Sequence, residues 1–317
     1  MKNKNMIFRI SAIISMALMM IQAAASAQED SLGPDNRPAK PAFESGYLID
    51  QQTSVVPIKN TLEFAIHHRF GTVENGISDL YGIYGASNIR LGLNYSLTNN
   101  IQVGIGTTKL KKYQDVTIKY SILKQSRSLS IPVSVTFFEN IGIDARDEAV
   151  FGTQYKFSQR FSYFSQLIIT HRFDDMVSLQ VSPSFTHYNW TDIQVQKIEN
   201  EAGEEVNDTI RFDHDKIGIS FGCRVKISPQ TSIIAGVDLP LWVDKIREYP
   251  KPDQLSKPNI SLGVEISTST HAFQIFIASA QGILPQENMM WNNLDGSDKL
   301  LISQFMLGFN ITRLWNF

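Results

Sequence analysis

Between Lys59 and the C-terminus the sequence alternates apolar and polar residues with a period of two, in one segment after another. TLEFAIHHRF sets Leu62, Phe64, Ile66 and Phe70 against Glu63, His67 and Arg69, and NIRLGLNYSL sets Ile89, Leu91, Leu93, Tyr95 and Leu97 against Arg90, Gly92, Asn94 and Ser96. KIGISFGCRVKI repeats the pattern with Ile217, Ile219, Phe221, Cys223 and Val225 against Gly218, Ser220, Gly222 and Arg224. A strand sends successive side chains to opposite faces, so each segment has one dry face and one wet face. Segments with apolar residues at helical spacing are not evident. The alternation runs into the last residues, GFNITRLWNF, where a water-soluble domain would expose bulky groups on a fraying end.

Twelve segments carry the pattern: 61–70, 88–97, 100–108, 113–124, 130–141, 160–172, 177–188, 214–226, 230–240, 259–267, 271–280 and 301–312. Their connections alternate in length. Short ones fall at Thr98-Asn99, Gln125 to Leu129, Asp174 to Met176, Ser228-Pro229 and Thr268 to Thr270. The long ones are 71–87, 142–159, 189–213, 241–258 and 281–300, with a modest link at 109–112. That alternation, and strands of roughly ten residues, predict an all-β, antiparallel, up-and-down transmembrane β-barrel. An even strand number returns the C-terminus to its starting side. Counting AVFGTQYKFS (149–158) as a thirteenth strand would put a short turn on the wrong side, so it is assigned to a loop. A soluble sandwich would also alternate, but aromatics on the apolar face and Gly, Ser, Thr, Gln and charges on the other suit a polar lumen better than a core.

Residues 1–27 read as an export signal, with Lys2, Lys4 and Arg9 before the apolar run Ile10 to Ile21 and Ala25-Ser26-Ala27 as cleavage site. Residues 28–60 hold Pro34, Pro38, Pro41 and Pro57 and form either a periplasmic extension or a plug, with Phe43, Tyr47, Leu48 and Ile49 favouring contact with the barrel; residues 61–317 are the barrel. Cys223, the single cysteine, sits among outward alternates as a small hydrophobe. A net charge of −2 gives no case for nucleic acid as a partner.

PAFESGYLIDQQTSVVPIKNTLEFAIHHRFG, GIYGASNIRLGLNYSLTNNIQVGIG, PNISLGVEISTSTHAFQIF and GFNITRLWNF resemble an uncharacterised family of predicted outer-membrane β-barrel proteins from Bacteroidetes-type bacteria. The resemblance implies a barrel among outer-membrane lipid in a Gram-negative cell, but no solute, activity or functional residue. The closing segment is similar to the sorting signal that barrel-assembly machinery reads, which would rest on Phe309, Ile311, Trp315 and Phe317.

The wet face carries Glu63, His67, Arg69, Arg90, Asp115, Lys119, Arg172, Lys216, Arg224, Asp238 and Glu265. Two readings compete. The charges pair across the wall of a wet barrel, or they form a selectivity ring. HHRF and THRF share a phase, but His68 and His171 lie towards opposite ends of their strands and read as interface histidines, not a metal pair. Asp295, Ser297 and Asp298, and the acidic stretch Glu199 to Asp215, read as solvated loops; no metal or cofactor is expected. The six histidines are scattered along the chain, so no enzyme is expected. QENMMWNNLDG holds Met289, Met290 and Trp291, an exposed apolar cluster that covers the mouth or binds an apolar ligand unless it folds inward to constrict the pore. The expected function is a narrow passive channel for an unknown small solute. Its rivals are a closed structural or binding barrel acting through its outer loops, and a transporter of apolar molecules gated by the N-terminal segment.

Overall fold

The computed structural model describes residues 35–191, 193–199, 205–248, 256–292 and 304–317. The expected export signal, the stretch with Asp295, Ser297 and Asp298, and part of the acidic stretch after Glu199 lie outside them. Two short strands, β1 (Tyr47–Leu48) and β2 (Gln51–Gln52), pair as a hairpin ahead of the main sheet. The main sheet then runs through β3 (Thr61–Thr72), β4 (Asn88–Ser96), β5 (Ile101–Thr108), β6 (Gln114–Leu123), β7 (Ser134–Ile143), β8 (Phe161–Arg172) and β9 (Val177–Tyr188). A second small hairpin, β10 (Ile193–Glu199) with β11 (Glu205–Arg211), intervenes. The sheet resumes with β12 (Asp215–Lys226), β13 (Thr231–Leu241), β14 (Asn259–Ser267), β15 (His271–Ala278) and β16 (Met306–Asn316).

These twelve main strands close into one antiparallel barrel, each paired with its neighbours in sequence and β16 paired with β3. Closure gives every strand two partners, which matters in hydrocarbon, where an open edge would leave backbone N–H and C=O groups with nothing to bond. The seam runs from Trp315 opposite Leu62 to Phe309 opposite His68, with an irregularity between Met306 and Gly308. Burial alternates with the pleat. In β3, Glu63, Ala65, His67 and Arg69 are buried inside, while Leu62, Phe64, Ile66 and Phe70 are part-exposed outside.

Five tight connections and the outer ends of β3 and β16 lie at one end of the barrel, here the short-turn end; the long connections lie at the other. The turns are set by local side-chain acceptors. Thr98 Oγ1 accepts from the backbone N–H groups of Asn100 (3.1 Å) and Ile101 (3.0 Å). Asp174 accepts from Val177 and Met176, each at 2.7 Å, and these bonds hold its carboxyl below the usual range.

The structure adds three things to the sequence expectation. The 281–300 connection contains a helix, α1 (Pro285–Trp291), started by a proline at a position where the missing N–H costs nothing. The 189–213 connection, expected as loop, contains the β10–β11 hairpin. The last strand spans Met306–Asn316 instead of 301–312, because Leu314, Trp315 and Asn316 keep pairing with Glu63, Leu62 and Thr61. Residues 149–158 are loop and short 3-10 turns, in keeping with the parity argument. Among the described residues no helix is long and apolar enough to cross a membrane.

Leu93 faces outward near the middle of β4. Leu93→Arg should therefore lower unfolding free energy by about 2–4 kcal/mol. Urea titration of protein folded into lipid vesicles reads that loss, and a cost near zero would show that this face does not meet lipid.

Candidate functional site

The inward alternates of the strands form a continuous polar lining, and the structure places all eleven sequence-selected residues on it. Arg90 on β4 and Asp115 on β6 pair at 2.6 Å, and Asn140 donates to the same carboxylate at 3.1 Å. Arg224 on β12 and Glu265 on β14 pair at 3.3 Å. Glu63 accepts from Gln102 Nε2 at 3.0 Å. Lys216 reaches Asp213 at 3.8 Å, near the long-loop end. Arg172 sits at the opposite rim, bonded to Asp175 of its own turn. His67, Arg69, Lys119 and Asp238 are also buried, and each has a partner in the N-terminal segment.

That segment enters from the short-turn end. Pro38 bridges to Ser126, and Ala39 N–H donates to the Gln125 carbonyl at 2.7 Å, so residues 36–39 are tied to the β6–β7 connection. The chain then carries the β1–β2 hairpin into the lumen. Ile49 at its tip has φ +55°, a left-handed conformation that a β-branched residue rarely adopts. The barrel wall holds the tip there. Ile49 N–H donates to Gln274 Oε1 (3.1 Å) and its carbonyl accepts from Asn310 Nδ2 (2.8 Å), so amides from β15 and β16 grip both of its backbone groups.

Asp50 follows, with its carboxylate bonded to Arg69 and to Asn259 Nδ2 (2.8 Å). Gln51 Nε2 donates to Asp238 at 2.9 Å. Lys119 Nζ donates to the Gly46 carbonyl at 3.2 Å, and Tyr47 packs edge-on against His67 at 4.4 Å between ring centroids. Apolar groups fill the rest: Ala42, Phe43, Leu48 and Ile49 cluster with inward Ile234, Phe276 and Ala278.

Glycines on β12 and β13 make the room. A Cβ on Gly222 would lie 2.5 Å from Leu48 Cδ2, and one on Gly236 would lie 3.1 Å from Gln51 Nε2. At the other end, a Cβ on Gly218 would lie 2.5 Å from Met289 Sδ of α1. Met289, Met290 and Trp291 are therefore not exposed, as their composition suggested. Met289 and Met290 are buried, and Met289 packs on inward Phe138, Phe164 and Ile168. Trp291 lies between Tyr188 (5.4 Å) and Phe212 (4.6 Å), with Lys111 Nζ 4.3 Å over its ring. The helix folds inward, and Gln286 Nε2 donates to Asn140 at 2.6 Å.

The two inserts meet. Tyr47, Ile49 and Asp50 of the hairpin and Ile283, Leu284 and Pro285 of the long connection line one residual space of about 10 Å³. Below the hairpin, at the short-turn end, a cavity of about 710 Å³ opens between Lys40, Glu44, Arg172, Asp175, Arg224 and Lys226.

Charge explains part of this arrangement. The eleven sequence-selected residues include six cations (Arg69, Arg90, Lys119, Arg172, Lys216, Arg224) against four carboxylates (Glu63, Asp115, Asp238, Glu265), and Lys226 at the end of β12 adds a seventh cation. The N-terminal segment brings two more carboxylates, Asp50 to Arg69 and Glu44 to Arg224 at 3.0 Å. Sequence reasoning missed both, together with Gln51, Asn259, Gln274 and Asn310. The signal for the last three was their phase: Asn259, Gln274 and Asn310 are inward alternates, passed over because they are uncharged.

His68 and His171 do not meet. His68 is outward and stacks on Phe309 at 4.9 Å, while His171 sits beside Phe173 near the other end. Among the described residues no cluster of His, Cys, Asp or Glu is arranged to hold a metal ion.

Residues 43–315 match the family model of the membrane bound beta barrel domain (DUF5777), so the match takes in the lumenal hairpin as well as the barrel. No curated protein matches the sequence. Solved structures of similar fold include a NanC porin, at 9% identity over 81% of this chain and 99% of that one, with a TM-score of 0.44. An outer-membrane channel from Pseudomonas putida F1 is 10% identical over 82% and 97% with a TM-score of 0.46, and the KdgM porin is 7% identical over 81% and 99% with a TM-score of 0.39. Likeness at this level is one of fold alone.

Asp50→Ala leaves Arg69 buried without its carboxylate, a loss on the order of 3–5 kcal/mol for a buried pair. Hydrogen exchange at Tyr47 to Thr53 should rise by roughly 100-fold or more, while the barrel strands stay protected. Unchanged exchange in the hairpin would show that this contact does not hold it.

Proposed function

The chain belongs to the membrane bound beta barrel family, and from that premise we propose that it is a passive outer-membrane channel for small solutes, closed in the present state by its own N-terminal hairpin. The carrying observation is that, beside one apolar cluster around Leu48 and Ile49, the hairpin is held in the lumen by side-chain hydrogen bonds and one buried ion pair, contacts that can be exchanged for water. A barrel built to stay shut would gain more from a dry, interlocked interior. The inner face of β9 supports the same reading. Gln180 Oε1, Ser182, Ser184 and Thr186 have buried side-chain oxygens with no protein partner, as suits a hydrated path from end to end. Small residues on neighbouring β12, with Gly218, Ser220 and Gly222, leave that sector of the pore wide once the inserts move.

In this reading the short-turn end faces the periplasm and the long connections face outward, in the envelope of a Bacteroidetes-type bacterium. Solute passes down its own gradient. The 710 Å³ cavity is the periplasmic vestibule, and the hairpin is the gate above it. No chemical step is assigned to the protein. Phe309, Ile311, Trp315 and Phe317 serve the barrel-assembly machinery during insertion.

Planar-bilayer recordings test the proposal. The full chain should open rarely and briefly, whereas a chain lacking residues 28–58 should conduct steadily, with open time raised at least tenfold. In that deletion background Arg90→Glu should shift ion preference towards cations. A deletion variant that shows the heat-modifiable mobility of a folded barrel yet never conducts would overturn the channel reading, and an unchanged preference in Arg90→Glu would remove Arg90 from the filter.

A further inference from the structure

The outer face of the barrel is apolar almost throughout, and Glu139 breaks it. It lies at the middle of β7, between outward Phe137 and Ile141, opposite Ile118 of β6 and Ser165 of β8. Among the described strand residues no other carboxylate, ammonium or guanidinium group faces outward away from the rims. Its one side-chain partner is the equally outward Ser165, whose hydroxyl donates to Glu139 Oε2. An ionisable group in hydrocarbon is costly and marks a functional contact.

A second irregularity lies beside it. Pro183 stands in the middle of β9, where it has no N–H to give the ladder. The pairing of β8 with β9 accordingly lapses between Gln166 opposite Ser184 and Ile169 opposite Val181. The Leu167 carbonyl, facing Pro183 in that gap, is left without its ladder donor. Backbone groups in hydrocarbon need a partner as much as side chains do. Two independent breaches of that rule thus fall close together on one face, since Leu167 lies across from Phe137, two positions along the ladder from Glu139.

We propose that this face, β7 to β9, is where a second copy of the chain docks in the membrane. A copy inserted in the same orientation carries its own patch at the same depth, which no unrelated partner does automatically. Around a twofold axis along the membrane normal the patch complements itself. In its neutral acid form Glu139 accepts from its own Ser165 and has one O–H left to donate. The partner's Ser165 can accept it, and the reciprocal pair closes a ring in which every hydroxyl and carboxyl is satisfied. Phe137, Tyr163, Leu167 and Phe185 surround the ring and supply the packing that drives association between barrels in lipid. The proposal stands whether or not the barrel conducts.

Cysteine cross-linking in outer-membrane vesicles tests it, in a Cys223→Ser background so that the native outward thiol is silent. Leu167→Cys, beside the patch, should give disulfide-linked dimers at least tenfold above Ile275→Cys, which faces lipid on β15, diametrically opposite β7 in the strand order. Adding Glu139→Leu to Leu167→Cys should cut the dimer at least fivefold while heat-modifiable mobility confirms a folded barrel. A folded Leu167→Cys protein that cross-links no better than Ile275→Cys, or only into an adduct of a mass other than twice the chain, would overturn the proposal. So would a Glu139→Leu variant that dimerises unchanged.

Discussion

The structure depends on one constraint: a backbone placed in hydrocarbon must satisfy its own hydrogen bonds. The pairing of β16 with β3 meets it by removing the last open edges, and the rest of the architecture follows. Once the sheet is closed, the period of two sorts side chains without further choice, lipid outside and lumen inside. The places where the constraint is relaxed are informative for the same reason. Pro183 leaves one ladder position empty, and the lone outward carboxyl of Glu139 sits one strand away from that gap's neighbour Leu167.

Inside, a different balance holds. Twelve strands enclose more space than inward side chains alone would fill. The chain fills it with two of its own segments, a hairpin from one end and a helix from the other. Their attachment differs in its balance of polar and apolar contacts. The helix side packs Met289 on Phe138, Phe164 and Ile168, a dry contact. The hairpin side adds, to the apolar cluster of Leu48 and Ile49 with Ile234, Phe276 and Ala278, amides and charges from β3, β13, β14, β15 and β16 that grip Ile49, Asp50 and Gln51. A strained backbone at Ile49, held by two external amides, is the kind of feature that persists only because its surroundings impose it. The hairpin carries the larger share of contacts that water can replace, which suits the gating role proposed for it.

Much of this was legible in the sequence. Strand positions, strand count and facing followed from alternation, since a one-residue slip would turn an entire face to the wrong medium. Glu63, His67, Arg69, Arg90, Asp115 and Lys119 could be placed inside by phase alone. What phase cannot reveal is pairing across the lumen. Asp50 and Arg69 are 19 residues apart with no periodic relation, and Glu44 and Arg224 are 180 apart. The sequence showed an excess of lumenal cations, and the missing anions lay in a segment without any pattern. The helix was also hidden, because seven residues of mixed polarity carry too little periodicity to be told from loop.

The sequence by itself therefore determined the barrel: alternation is local, and lipid enforces it at every second residue. Only the tertiary structure decided that the lumen is occupied, and by what. The hairpin and the helix take their places from shape, from glycines at 218, 222 and 236 that leave space for Met289, Leu48 and Gln51, and from charges distant in sequence. Those contacts exist only once the wall has closed around them.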